Sequence, residues 1–222
     1  ILEIGDVKQI DKKDAQELNA LHIKNLSKTY GDRQLFTHLN LDVQAGQKVL
    51  IKGPSGCGKS TLFRLITGEE IADEGEIIGV TTVNECTSSF VSSIGIISQH
   101  PFLFNDTVRY NLTLGQEFSE EELLAVLKQV KLDFELTGGL DFIIKNNGEN
   151  ISGGQRVRVE LARFLLRRKN LLLADEVTAA LDKENAFMVH ELLFSLPVMM
   201  LEIAHHIDDE SRYQQVVDLG KY

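Results

Sequence analysis

Cysteine occurs only twice in these 222 residues, at Cys57 and Cys86. Two thiols do not make a disulfide framework, which points to a reducing compartment. Proline occurs three times, at Pro54, Pro101 and Pro197, each at the boundary of an expected element, where a missing N–H costs least. No run of 18 or more apolar residues exists, so no stretch reads as a membrane-spanning helix. No secretory leader pattern opens the chain. Basic charge is in short supply: 23 Lys and Arg stand against 33 Asp and Glu, for a net charge of −10. A protein that grips a nucleic-acid backbone normally presents a basic face, so no nucleic-acid partner is expected. A small anion held in a local cradle is compatible with this charge. Internal repeats and low-complexity tracts are also missing. The chain begins with Ile1 instead of Met, as a piece excised from something longer would.

Against these absences, 43% of the residues are hydrophobic, enough for a sizeable core, and 25% are charged, which is not a disordered composition. Residues 1–19 are polar with scattered aliphatics and read as a linker or arm. "ALHIKNLSKTY" and "QLFTHLNLDV" are strand-length and flank the turn signal "GDR". "KVLIK", "IGIIS", "NLLLAD" and "VMMLEIA" are short aliphatic runs of the buried-strand type, and "QQVVDLG" reads as a last strand. Between them lie helical patterns: Leu62, Phe63, Leu65 and Ile66; a capping box at Ser119 and Glu122; and a stretch at about Lys183–Leu196. Strands interleaved with helices predict an α/β fold with a largely parallel sheet. The stretch Ala72–Ile94 shows no clear strand-turn pattern, and no element is assigned there.

"GPSGCGKST", Gly53–Thr61, fits G-x-x-x-x-G-K-[ST] between a strand and a helix. Glycines let such a loop turn its amides onto a phosphate chain, and the helix N-terminus adds partial positive charge. Gly53, Pro54, Ser55, Gly56, Cys57, Gly58, Lys59, Ser60 and Thr61 are therefore nucleotide-binding candidates. Lys59 is expected on the β- and γ-phosphates and Ser60 on Mg²⁺. Cys57 sits where a thiol can become reactive, but a small residue that merely fits is the simpler reading. "NLLLADEVTAALD" places Asp175 at a strand end, where it would approach Mg²⁺, and Glu176 beside it, where it would polarise an attacking water.

A second glycine turn, Ser152-Gly153-Gly154-Gln155, opens another helix with apolar residues at Val157, Leu161, Phe164 and Leu165. S-x-x-Q is a capping box, which accounts for Ser152 and Gln155. Two adjacent glycines ask for more: they permit close approach of another group, and a hydroxyl, free amides and a helix N-terminus together make an anion site.

"GPSGCGKST", "ISGGQ" and "LLLADEVTAALD", in this order, resemble the nucleotide-binding domain of an ABC (ATP-binding cassette) transporter of the exporter type, over about residues 20–220. Ile151 stands where the family usually has Leu. The resemblance implies a P-loop NTPase core with a mostly parallel sheet, an antiparallel β subdomain, and a helical subdomain at about residues 100–168 that carries the signature loop. It implies ATP and Mg²⁺ as ligands. It also implies that Ser152, Gly153, Gly154 and Gln155 close over ATP held by a second subunit, giving a head-to-tail pair. By the same resemblance Tyr30 would stack on adenine, Gln99 would touch Mg²⁺ and water, and His205 would contact the γ-phosphate, with His206 a lesser candidate. Asp182 would meet the opposite subunit; Ala179 stands where the family often has Ser. "HPFLFNDTVRYNL" resembles the exporter surface that meets a transmembrane domain, which implies a place at the cytoplasmic face of the cell membrane. The chain stops at Tyr222, where exporters usually continue into helices.

The alternative is a soluble ABC ATPase of DNA maintenance or the ribosome. Chromosome and repair members insert a long coiled coil between the two loops, and no heptad run lies between Lys59 and Ser152. Ribosome-associated members usually carry two such domains, and the acidic charge gives no support for RNA contact. Intact Lys59, Asp175, Glu176 and His205 argue against a non-hydrolysing regulatory domain.

Overall fold

The computed structural model describes residues 17–81, 85–86, 89–132, 138–204, 207 and 209–222 of the chain. A five-stranded sheet lies at its centre, in the order β6(Ile94–Ser98), β7(Leu171–Asp175), β8(Met199–Ile203), β3(Lys48–Lys52), β9(Gln215–Asp218). Every neighbouring pair is parallel. These are the aliphatic runs of the sequence, and the period of two along each strand sorts their side chains into two cores. Leu50, Leu172 and Met200 point into one; Val49, Ile51, Leu171, Leu173, Leu201 and Ile203 point into the other.

The second core is capped by α1(Lys59–Thr67) and by an antiparallel sheet in the order β2(Arg33–Gln44), β1(Leu18–Tyr30), β4(Glu74–Thr81), β5(Glu85–Cys86). β1 and β2 form a hairpin whose tip pairs Tyr30 with Arg33. β4 answers the stretch that the sequence leaves unassigned. Its glycines hide it from pattern reading, and both are there for close approach. A Cβ on Gly75 would sit 2.4 Å from the carbonyl oxygens of Lys24 and Asn25, and one on Gly79 2.5 Å from the Phe90 side chain.

The first core joins the sheet to α2(Val108–Thr113), α3(Glu120–Gln129), α4(Gly153–Leu166) and α5(Lys183–Ser195). α3 carries the expected capping box, with the Ser119 hydroxyl accepting from Glu122 N and the Glu122 side chain accepting from Ser119 N. Among the described residues no helix is long and apolar enough to cross a membrane.

Parallel pairing places several carboxyl ends on one edge. Ser98 pairs with Asp175, Asp175 with Ile203, and Ile203 with Ile51. Gln99, Glu176 and the loop after Lys52 therefore leave the sheet at one level, the crevice in which open α/β sheets hold their ligands.

Candidate nucleotide-binding site

β3 delivers the chain to a loop that turns at Gly53, Gly56 and Gly58, with φ of 148°, 77° and 104°. Gly58 has a steric reason as well: a Cβ there would press to 3.0 Å from the Phe36 ring. The loop is braced from the hairpin by Arg33, which donates to Gly56 O at 2.8 Å. Lys59 opens α1 and is buried. Its Nζ donates to Gly53 O at 2.9 Å and Pro54 O at 3.1 Å, which engages two of its three donors and fixes the ammonium inside the loop's curve. Cys57 and Pro54 belong to the loop's other side: the Cys57 sulfur lies 2.8 Å from where a Gly53 Cβ would stand, and Pro54 abuts Gly220.

A cleft of about 370 Å³ opens beside the loop, lined by Tyr30, Arg33, Leu35, Ser55, Gly56, Gly58, Lys59, Ser60, Thr61 and Glu176. Tyr30 stands at the hairpin tip, 41% exposed, its hydroxyl donating to the Glu70 carboxyl. A second cleft of about 360 Å³ shares Ser60 and Glu176 with the first and adds Ser98, Gln99, His100 and Asp175. Ser60 Oγ lies 3.5 Å from Asp175 Oδ2. A hydroxyl, a carboxylate and an amide oxygen around one cleft are hard donors and fit Mg²⁺, which keeps several waters and needs few protein ligands. Among the described residues there is no cluster of three or more His, Cys, Asp or Glu that would compete as an all-protein metal cage.

Glu176 has a left-handed backbone, φ 50°, which a residue with a Cβ adopts only at a cost. Its N–H donates to Ile203 O at 2.9 Å, so the neighbouring strand enforces the turn. The strain sits at the carboxyl group that both clefts share. His205 and His206, expected at the end of β8, lie outside the described residues.

The second glycine loop is elsewhere. Neither cleft beside Lys59 includes Ser152, Gly153, Gly154 or Gln155 in its lining. The capping box read from the sequence is made: Ser152 Oγ accepts from Gln155 N at 3.1 Å, and Gln155 Oε1 accepts from Ser152 N at 2.8 Å. The two glycines also have partners within the chain. A Cβ on Gly153 would lie 2.8 Å from Leu181, and one on Gly154 2.6 Å from Asn185 Oδ1. Asn185 donates to Asp182 from its backbone and its side chain and holds that carboxyl below the usual carboxylate range. This second glycine loop thus packs against Leu181 and the start of α5, and Ser152 remains exposed.

Several site-shaping residues escape sequence reading. Glu160 interrupts the apolar stripe of α4, and its Oε2 accepts from Ser98 N at 3.1 Å. Burial pushes its carboxyl up to about 7, against the Ser98 N–H and Arg163, which pull it down. Glu202, inside the buried run of β8, accepts from Tyr213 OH at 2.6 Å and lies 2.9 Å from His190 Nε2, tying α5 to β8. The available signal in both cases is a carboxyl group on an apolar face. Tyr213→Phe leaves one oxygen of the fully buried Glu202 without that donor. The expected loss is about 1–3 kcal/mol of stability by urea denaturation, with unchanged ATP affinity.

A family model described as "ABC transporter" matches residues 36–179. An ATP-dependent lipid A-core flippase of Francisella tularensis subsp. holarctica (strain OSU18) is 36% identical over 227 residues, which cover 98% of this chain and 37% of the flippase. A flippase of the same name from Desulfotalea psychrophila is 37% identical, covering 95% of this chain and 39% of that protein. The uncharacterized ABC transporter ATP-binding protein YwjA of Bacillus subtilis (strain 168) is 33% identical over 95% of this chain and 41% of its own. Among solved structures, that of a bacterial Atm1-family ABC exporter with ATP bound superposes with a TM-score of 0.77 at 31% identity, covering 92% of this chain and 38% of the exporter. The chain spans about two fifths of the length of these relatives. The soluble alternative is not favoured by this company. Fold and relatives agree: the chain belongs to the ABC transporter family.

Proposed function

We propose that this chain powers an exporter at the cytoplasmic face of a membrane, working as one half of a head-to-tail pair that holds two ATP molecules between its members. One observation carries the reading: the phosphate loop and the signature turn are both built on one chain, yet no signature residue lines either cleft beside Lys59. A loop with an exposed hydroxyl at a helix N-terminus is suited to a phosphate, and a second copy can bring one to it.

In this reading Tyr30 stacks on the adenine, and the amides from Gly53 to Thr61 and the Lys59 ammonium hold the phosphates. Lys59 needs little reorganisation for this, since the loop carbonyls already fix it. Ser60, Asp175 and Gln99 would hold Mg²⁺, which when bound neutralises charge on the phosphate oxygens. Glu176 accepts a proton from, or orients, the attacking water, with Gln99 beside it. His205 contacts the γ-phosphate. Ser152, Gly153, Gly154 and Gln155 close over the partner's ATP, and Asp182 meets the partner near the same seam.

Residues 1–19 would lead in from a membrane domain, 20–222 would form the ATP-binding domain, and about 100–168 its helical subdomain. That subdomain presents an apolar face suited to a transmembrane partner. Phe102, Phe104 and Tyr110 are exposed and meet edge to face, with ring centroids 5.1 and 5.7 Å apart. Exposed aromatics clustered in this way mark interaction surfaces.

The test is kinetic. ATP turnover per molecule rises with protein concentration across the range in which a dimer forms. Turnover that is constant from nanomolar to micromolar protein, with no dimer by light scattering in ATP, overturns the shared-site reading.

A further inference from the structure

The segment that carries Gln99 is gripped at both ends by one turn of α4. At its start, the Ser98 N–H donates to Glu160 Oε2. Among the described residues β6 is the edge of the sheet and no strand lies beyond it, and Glu160 supplies this N–H with its acceptor. At its far end Arg163, three residues along the same helix, donates from Nη1 to Phe102 O at 2.7 Å. The same guanidinium donates from Nε to Asn111 O at 2.5 Å and from Nη2 to Asn111 Oδ1 at 2.8 Å. Asn111 is fully buried and holds Phe104 from both sides, accepting from its N–H at 2.8 Å and donating to its carbonyl at 3.0 Å. Residues i and i+3 lie on one helix face, so the two grips move together. Ser152 caps the N-terminus of the same helix.

We infer that Glu160 is a positioning residue for ATP hydrolysis: with Arg163 it clamps residues 98–102 to α4, so that the signature helix sets where Gln99 stands. The inference rests on the reading that Gln99 works in the ATP site. A half-buried carboxyl group at this place is costly to keep, and an aliphatic residue would pack the stripe of α4 without it. What the aliphatic residue cannot do is hold the Ser98 amide. A misplacement on the order of 1 Å at a reacting centre costs up to about 10²-fold in rate.

The experiment compares Glu160→Gln, which keeps an acceptor oxygen, with Glu160→Leu, which removes it, and uses Gln99→Ala as reference. In the nucleotide-free protein, hydrogen exchange of a peptide spanning residues 96–102 speeds about tenfold in Glu160→Leu and stays near the parent in Glu160→Gln. In Glu160→Leu, ATP affinity stays within about twofold, kcat falls about 10- to 100-fold, and the Mg²⁺ concentration for half-maximal rate rises. Glu160→Gln keeps most of the rate. The double variant Glu160→Leu/Gln99→Ala is no slower than Gln99→Ala alone. If Glu160→Leu does not fold, Glu160→Asp withdraws the oxygen by one methylene and gives the same comparison. Parental exchange and kcat in the acceptor-less variant overturn the clamp, as does a double variant slowed by both factors. A fully active Gln99→Ala overturns the assignment of Gln99 itself, a separate failure read from that variant alone.

Discussion

Glu176→Gln binds ATP as tightly as the parent and hydrolyses it about 10²- to 10⁴-fold more slowly, accumulating as an ATP-bound dimer. The amide has the shape of the carboxyl group and tolerates the same left-handed backbone at φ 50°. The Glu176 N–H to Ile203 bond is unaffected, so the turn at the end of β7 is kept. What is lost is the capacity to take or polarise a proton. Glu176 lines both the Lys59 cleft and the Gln99–Asp175 cleft, a position from which a base serves a water at the end of a phosphate chain. The measurement is phosphate release under single turnover, with ATP binding by a fluorescent analogue and dimer formation by gel filtration. A fully active variant refutes the assigned role.

Ser152→Arg leaves ATP binding by the separate chain within about twofold of the parent and lowers turnover at least 100-fold. Ser152 is exposed, and no residue of its turn lines the clefts beside Lys59. A bulky cation there obstructs only a partner's nucleotide. The substitution also removes the hydroxyl that accepts from Gln155 N, at a cost of about 0.5–2 kcal/mol, so thermal melting accompanies the assay. Loss of binding by the separate, folded chain contradicts the shared-site reading, because it places Ser152 on its own subunit's ATP.

The two variants probe parts of the site with different visibility in the sequence. The phosphate loop is legible because its pattern is local: glycines, Lys59 and Ser60 lie within a few positions, and backbone conformation alone brings them to one cleft. The strand-end pair Asp175–Glu176 is legible for the same reason, once four apolar residues mark the strand before it. β4 is not legible, since Gly75 and Gly79 answer to the carbonyls of Lys24 and Asn25 and to the ring of Phe90, which no local pattern reveals. Gly153 and Gly154 look like an anion cradle in sequence, and they also turn out to admit Leu181 and Asn185.

Sequence patterns by themselves determined the parallel strands of the central sheet and the phosphate loop, because each depends on residues a few positions apart; they did not give β4 or α2. Tertiary structure decided the rest. It set Ser60 beside Asp175, turned Glu176 into a left-handed backbone against Ile203, and bound Ser98 to Glu160 across 62 positions. Contacts between distant segments follow from how sheets and helices fill one core, and that packing leaves only a faint trace in the sequence: a carboxyl group where an aliphatic side chain would serve.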